Sequence, residues 1–171
     1  QVDPFHYAGE GTLTNVDLNR FGRDLQMAWL AEPRYAGTLA GQFHVDGTGA
    51  DPATMTLTGG GRLTRATLFA GTLSEADVHI HIANGTLDGT YDGALDQIDP
   101  SIPMQDPLYA ARLSGQTRAR FVVPELMLRS PELTDYTIDA TFAARDSIVR
   151  DVQIARGDVE ATMADGTMRI A

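Results

Sequence analysis

Cysteine is absent from the 171 residues, which excludes disulfides, thiolate nucleophiles and cysteine-ligated zinc. A cysteine-free chain tolerates oxidising and reducing surroundings alike, so this absence leaves the compartment open. Lysine is absent too: 13 arginines face 23 acidic residues, for a formal net charge of −10. A surface of that sign repels phosphate backbones and anionic headgroups, which argues against nucleic-acid binding and electrostatic membrane docking. Aromatic residues make up only 7%, with one tryptophan, Trp29. No apolar run approaches the ~20 residues of a membrane-spanning helix. The opening residues Gln1-Val2-Asp3-Pro4 hold no basic or apolar leader region and no starting methionine, so the chain reads as part of a longer one. Yet at 43% hydrophobic and 21% charged the chain is too apolar to be disordered. Its length suits one domain or two small ones.

What is present is alternation with period two. Tyr35, Gly37, Leu39, Gly41, Phe43 and Val45 share one face of a run whose other face is Ala36, Thr38, Ala40, Gln42 and His44. The same pattern recurs in Val78, Ile80, Ile82; in Leu87, Gly89, Tyr91, Gly93, Leu95; in Tyr136, Ile138, Ala140, Phe142; and in Val159, Ala161, Met163. Such alternation marks antiparallel strands with one apolar and one wetted face. Asn84-Gly85 lies between two such runs and calls for a two-residue type I′ hairpin. That turn pairs Ile82 with Leu87, Ile80 with Gly89 and Val78 with Tyr91. On the wetted face it sets His81 against Asp88, His79 against Thr90, and Asp77 against Asp92, a like-charge pair that destabilises.

Other signals are looser. Ala70-Gly71 suggests a hairpin pairing Leu68 with Leu73 and Leu63 with Val78, which would need a bulge or a longer loop. Pro124 splits 118–123 from 126–128 and points to an edge or bent strand. Gly-Thr-Leu recurs at 11, 37, 71 and 85, with Gly-Thr-Met at 166, as a strand-opening habit without fixed period. Phe21, Leu25, Ala28 and Trp29 predict one amphipathic helix near 20–31, with Asn19 as cap and Pro33 beyond its end. Asp51-Pro52 predicts a single helical turn. The Pro-rich stretch 99–107 separates a β-sheet unit at 1–98 from a second unit at 108–171 that continues the sheet.

Candidate chemistry is thin. His79 and His81 sit at i, i+2 on one strand face, but nothing supplies the remaining ligands of a zinc site, and His81 is better read as the partner of Asp88. His6 and His44 add nothing to it. The run from Asp46 to Asp51 resembles an acidic calcium loop but has Leu57 where an EF-hand needs its bidentate glutamate. Asp88, Asp92 and Asp96 form an acidic ridge. Gly59-Gly60-Gly61-Arg62 lacks the lysine and the following helix of a phosphate loop, and reads as a flexible turn. No serine sits in a nucleophile elbow. The expectation is a non-enzymatic, all-β chain with no cofactor and no metal.

The remaining feature is the apolar face itself. Eight to ten strands with almost no helix must fold onto a second sheet, close into a barrel, or curl round something apolar. Many inward positions are Gly or Ala (Gly37, Gly41, Gly89, Gly93, Ala140, Ala161), which leave space and permit sharp curvature. The expected fold is a curled antiparallel sheet, a taco-like groove or open barrel, with one short helix.

Four features in order carry a resemblance: Val16-Asp17-Leu18 before a short helix, the strand Gly37-Thr38-Leu39-Ala40-Gly41, the Gly47-x-Gly49-x-Asp51-Pro52 turn, and Asn84-Gly85-x-Leu87-x-Gly89 running on to Gly93. Together they resemble the repeating units of AsmA-like and TamB-like bacterial envelope proteins. The match is strongest over 11–95 and loose over 112–171, where the Pro-rich insert and Pro124 depart from the pattern. The resemblance implies a segment of a periplasmic protein anchored in the inner membrane, whose apolar groove passes phospholipid towards the outer membrane or supports outer-membrane protein assembly. Its partners would be phospholipid acyl chains and an outer-membrane assembly protein. On that reading the groove is lined by Leu39, Phe43, Val45, Val78, Ile80, Ile82, Leu87, Tyr91, Leu95, Ile138, Phe142, Val159 and Met163. The alternatives are a dry core made of the same residues, and a structural or adhesive β-sandwich that binds a protein partner.

Overall fold

The period-two runs become nine strands, each antiparallel to the one before it, in a single sheet whose spatial order is the chain order. They are β1 (His6–Asp17), β2 (Thr38–Thr48), β3 (Thr56–Leu68), β4 (Gly71–Ala83), β5 (Thr86–Ile98), β6 (Ala111–Val123), β7 (Thr137–Val149), β8 (Val152–Ala164) and β9 (Thr167–Ile170). The computed structural model describes residues 5–24, 28–51, 53–125, 129 and 131–171. The sheet runs unbroken through the Pro-rich stretch, because β5 pairs directly with β6. Residues 99–107 hold the short helix α2 (Ser101–Met104) and lead into a 3₁₀ turn at Pro107–Tyr109.

Asn84 and Gly85 both have positive φ, 50° and 74°, as a type I′ turn demands. The register that follows contains all six pairs expected from the sequence. The Asp77–Asp92 pair survives because Arg62 on β3 reaches Asp77 at 3.7 Å and Arg118 on β6 reaches Asp92 at 2.8 Å. The four side chains make a plus-minus-minus-plus row across the sheet.

Four expectations need correction. The second hairpin turns at Phe69-Ala70 (φ 50° and 61°), one residue earlier than Ala70-Gly71, so Leu63 faces Ala76 and Gly61 faces Val78. The glycine triplet is the middle of β3 and no turn, since each glycine is covered by neighbours on both sides. Pro124 stands just past β6, an interior strand that pairs with both β5 and β7; residues 126–128 lie outside the described ones. The helix α1 is Leu18–Asp24, two residues earlier than expected at its start, and is capped by Asp17, whose Oδ1 accepts the Arg20 N–H at 2.8 Å. Asn19 instead donates to the Leu30 and Glu32 carbonyls, while Ala28–Leu30 form a turn and Leu25 lies outside the described residues. The single turn at Asp51 is present: its carbonyl accepts from Thr54 and Met55, and its side chain from Ala53. Gly-Thr opens β2, β4, β5 and β9, but the copy at 11–13 falls inside β1.

A line of bulges crosses the sheet. Leu13-Thr14-Asn15-Val16, Leu95-Asp96-Gln97-Ile98 and Ala144-Arg145-Asp146-Ser147 each carry a left-handed third residue (φ 50°, 58°, 50°), and Glu75 on β4 repeats this at φ 50°. The register shifts at these points. A bulge bends its strand and deepens the local twist, so a row of them curls the sheet. The curl brings distant corners together. Tyr35 precedes β2 at one end of the sheet and Tyr136 precedes β7 at the other, yet their hydroxyls stand 3.4 Å apart. Trp29 meets Tyr35 edge-on at 5.6 Å and Phe69 lies 6.0 Å from it, so this corner is aromatic.

Between β6 and β7 charge ties together the described residues Arg129, Glu132 and Asp135. Arg129 grips Asp135 through two nitrogens at 2.6 and 2.7 Å, and Asp135 also accepts the Glu132 N–H. The Arg129 bond first, and the backbone bond second, pull the Asp135 carboxyl down to about 2. A depressed carboxyl stabilises the fold above its ordinary value of 3.8 and loses that contribution as pH falls through about 2. Wild type should therefore melt above Arg129→Leu at pH 7, and the gap should close between pH 4 and pH 2. A gap independent of pH over that window would contradict this.

Candidate functional site: one apolar face of the sheet

Alternation sends every second side chain to one face, and the register stacks those side chains into rows across the strands. One row reads Gly9, Val45, Gly59, Ile80, Gly89, Phe121, Ile138, Met163, Met168. The next reads Gly11, Phe43, Gly61, Val78, Tyr91, Ala119, Ala140, Ala161, Ile170. On one side of these rows lie Gly47, Leu57, Ile82, Leu87 and Val123. On the other, Phe142 pairs with Val159, and Val16, Leu39, Ala66, Leu73 and Leu95 form a row beside the bulges. All thirteen residues expected to line a groove are therefore on one face, in adjoining rows.

The face has no second layer among the described residues. Of the thirteen, only Ile82 and Met163 are buried; the other eleven are partly open. The buried apolar residues of the described chain number seven, and three of those are alanines, too little for a dry sandwich core. The accessible surface is 10544 Å². A compact monomer of 18.4 kDa exposes about 8,200 Å², leaving a surplus of about 2,300 Å².

The inward glycines do not leave holes. A Cβ on Gly89 would strike the Phe121 ring at 2.4 Å, one on Gly47 the Tyr7 ring at 2.6 Å, and one on Gly11 the Phe43 ring at 3.0 Å. Each ring reaches over a neighbouring strand's glycine, the packing that rescues glycine in a sheet. The result is a filled apolar bed and not the vacant space expected from small residues. Tyr91 joins it by donating its hydroxyl to the Ala94 carbonyl at 3.0 Å. Burial, and then the Asp92 charge, push its phenol up to about 12.

Sequence reading missed Leu57, Leu63, Leu73, Phe121 and Val123. The β6 positions had a usable signal, since Ala119, Phe121 and Val123 alternate with Arg118 and Arg120. Phe21 does not cover the face: it is 43% exposed.

The opposite face is polar and knit by charge. The expected acidic ridge is neutralised at two of its three positions, with Asp88 held by Arg120 at 2.6 Å and Asp92 by Arg118, while Asp96 accepts from the Ser114 hydroxyl. His81 faces Asp88 in the register, but its Nδ1 lies 3.2 Å from the Thr58 hydroxyl while the Asp88 carboxylate goes to Arg120. A shallow hollow of about 860 Å³ on this face is lined chiefly by His79, Thr90, Asp92, Arg118, Arg120 and Asp139. Among the described residues, no helix is long and apolar enough to cross a membrane. No family model, curated protein or solved structure matches this chain.

Proposed function

We propose that this chain is a non-enzymatic segment of a periplasmic envelope protein anchored in the inner membrane, and that its apolar face carries phospholipid acyl chains between the two membranes or supports outer-membrane assembly. The observation that supports this reading is an apolar face rowed across nine strands and left without a covering layer. Water is a poor cover for such a face, and each acyl CH₂ laid on it would gain ~0.8 kcal/mol. Rings packed over glycines carry that apolar surface across strands whose own residues have no side chain. The acidic, arginine-laced outer face keeps the segment dissolved. The likeness to AsmA-like and TamB-like repeats points the same way.

Native mass spectrometry of the purified chain, followed by organic extraction, tests this. Phospholipid should accompany wild type and be lost from Ile80→Asp, with the sheet intact by circular dichroism. Unchanged lipid in a folded Ile80→Asp variant would overturn the reading. A second reading, a structural module that binds a protein partner, is favoured by a different observation: β1 on its outer side, and β8 over Val152–Val159, have no neighbouring strand among the described residues. Open edges of this kind accept a further strand.

A further inference from the structure

We propose that His44 and His79 together hold a late divalent transition-metal ion on the polar face, with water completing its sphere. The two histidines lie on β2 and β4, with Gly60 of β3 directly between them in one row. Because Gly60 has no side chain, both rings lean into the gap. A Cβ placed there would lie 2.8 Å from His79 Nδ1 and 2.9 Å from His44 Cε1. A half-turn of the exposed His44 ring about χ2, a torsion with two broad, roughly equivalent wells, puts Nε2 where Cε1 stands. Two imidazole nitrogens then face one point over a glycine, needing only small side-chain motion to reach the ~2.0–2.1 Å of a metal–imidazole bond.

The same-strand pair His79 and His81 is the weaker chelate, because His81 is drawn to the Thr58 hydroxyl. No group of three or more potential ligands stands together among the described residues. The site therefore supplies two nitrogens, which suits Cu²⁺ best and Zn²⁺ less well. The neighbouring hollow, lined by Glu10, Gln42, His44 and Arg62, gives the ion's waters room. This inference is independent of the lipid reading, which concerns the other face.

Titrating the purified chain with Zn²⁺ alone by calorimetry, and with Cu²⁺ alone by electron paramagnetic resonance, tests it. Expected are one ion per chain, a two-nitrogen copper signature, and at least tenfold weaker binding in His44→Ala and in His79→Ala. His81→Ala and His6→Ala should bind like wild type, and Gly60→Ala, which fills the gap, should bind more weakly. Loss in His81→Ala with His44→Ala unaffected would overturn the proposal in favour of the same-strand pair. No saturable binding of either ion would overturn it outright.

Discussion

Replacing Gly61 by alanine should cost about 3 kcal/mol, near the upper end of what overpacking does, and lower the melting temperature by about 10 °C. Gly61 lies between Phe43 and Val78 on the apolar face. A Cβ there would stand 2.0 Å from the Gln42 carbonyl oxygen and 3.0 Å from the Phe43 Cα. Both are backbone atoms, so no side chain can swing aside, and β2 would have to move. Gly9→Ala is the matched control on the same face, since its Cβ would meet only the Val45 side chain at 3.7 Å, an ordinary contact. That variant should stay within about 0.5 kcal/mol of wild type. Chemical denaturation of both decides the matter. Equal effects would mean that the close approach of β2 and β3 is not a constraint on the fold.

Ser147→Ala should cost about 2 kcal/mol for the loss of one hydroxyl. Ser147 is fully buried where β7 bulges and its ladder with β6 breaks. Its Oγ accepts the Ser114 N–H and donates to the Ser114 carbonyl, both at 3.0 Å, and so stands in for the missing backbone pair. Alanine leaves both Ser114 groups without that partner in a site that water does not reach. Thr117, whose hydroxyl donates to the Thr141 carbonyl at the same 3.0 Å but in an exposed setting, should lose no more than about 1 kcal/mol on the change to Val. A Ser147→Ala variant as stable as wild type would show that the bulge row closes without side-chain help.

These two sites also mark where the sequence is readable and where it is not. The Asn84-Gly85 hairpin is legible because type I′ geometry needs two positive φ angles that this dipeptide accepts cheaply, and one turn then dictates seven pairs, from Ala83–Thr86 to Asp77–Asp92, before the bulge at Glu75 shifts the register. The one-face placement of Ile80, Leu87 and Ile138 follows from alternation alone. Gly59-Gly60-Gly61 misleads because glycine signals a turn by its freedom. Here it is required for closeness instead: the Ile80 side chain lies against Gly59, the β2 backbone against Gly61, and two histidines share the space over Gly60. The bulges are hidden for another reason. Asn15, Glu75, Gln97 and Asp146 are left-handed but not glycine, so each looks like an ordinary polar strand residue until the register on both sides is known. The Tyr35–Tyr136 contact, between residues 101 apart, depends on the summed curl of six strands and has no local signature. His44 joins His79 for the same kind of reason: the two meet only once β3 is placed between them.

On the proposed function, the apolar face, and not the polar one, lies against acyl chains. Photocrosslinking with a benzoylphenylalanine at one position per variant tests it most directly, using vesicles that contain radiolabelled phospholipid. Positions 80 and 142 replace Ile80 and Phe142 on the apolar face; positions 79 and 141 replace His79 and Thr141, their immediate neighbours on the polar face. Light should attach label at 80 and 142 and leave 79 and 141 bare. Equal labelling of both faces, or none on either, would contradict the account.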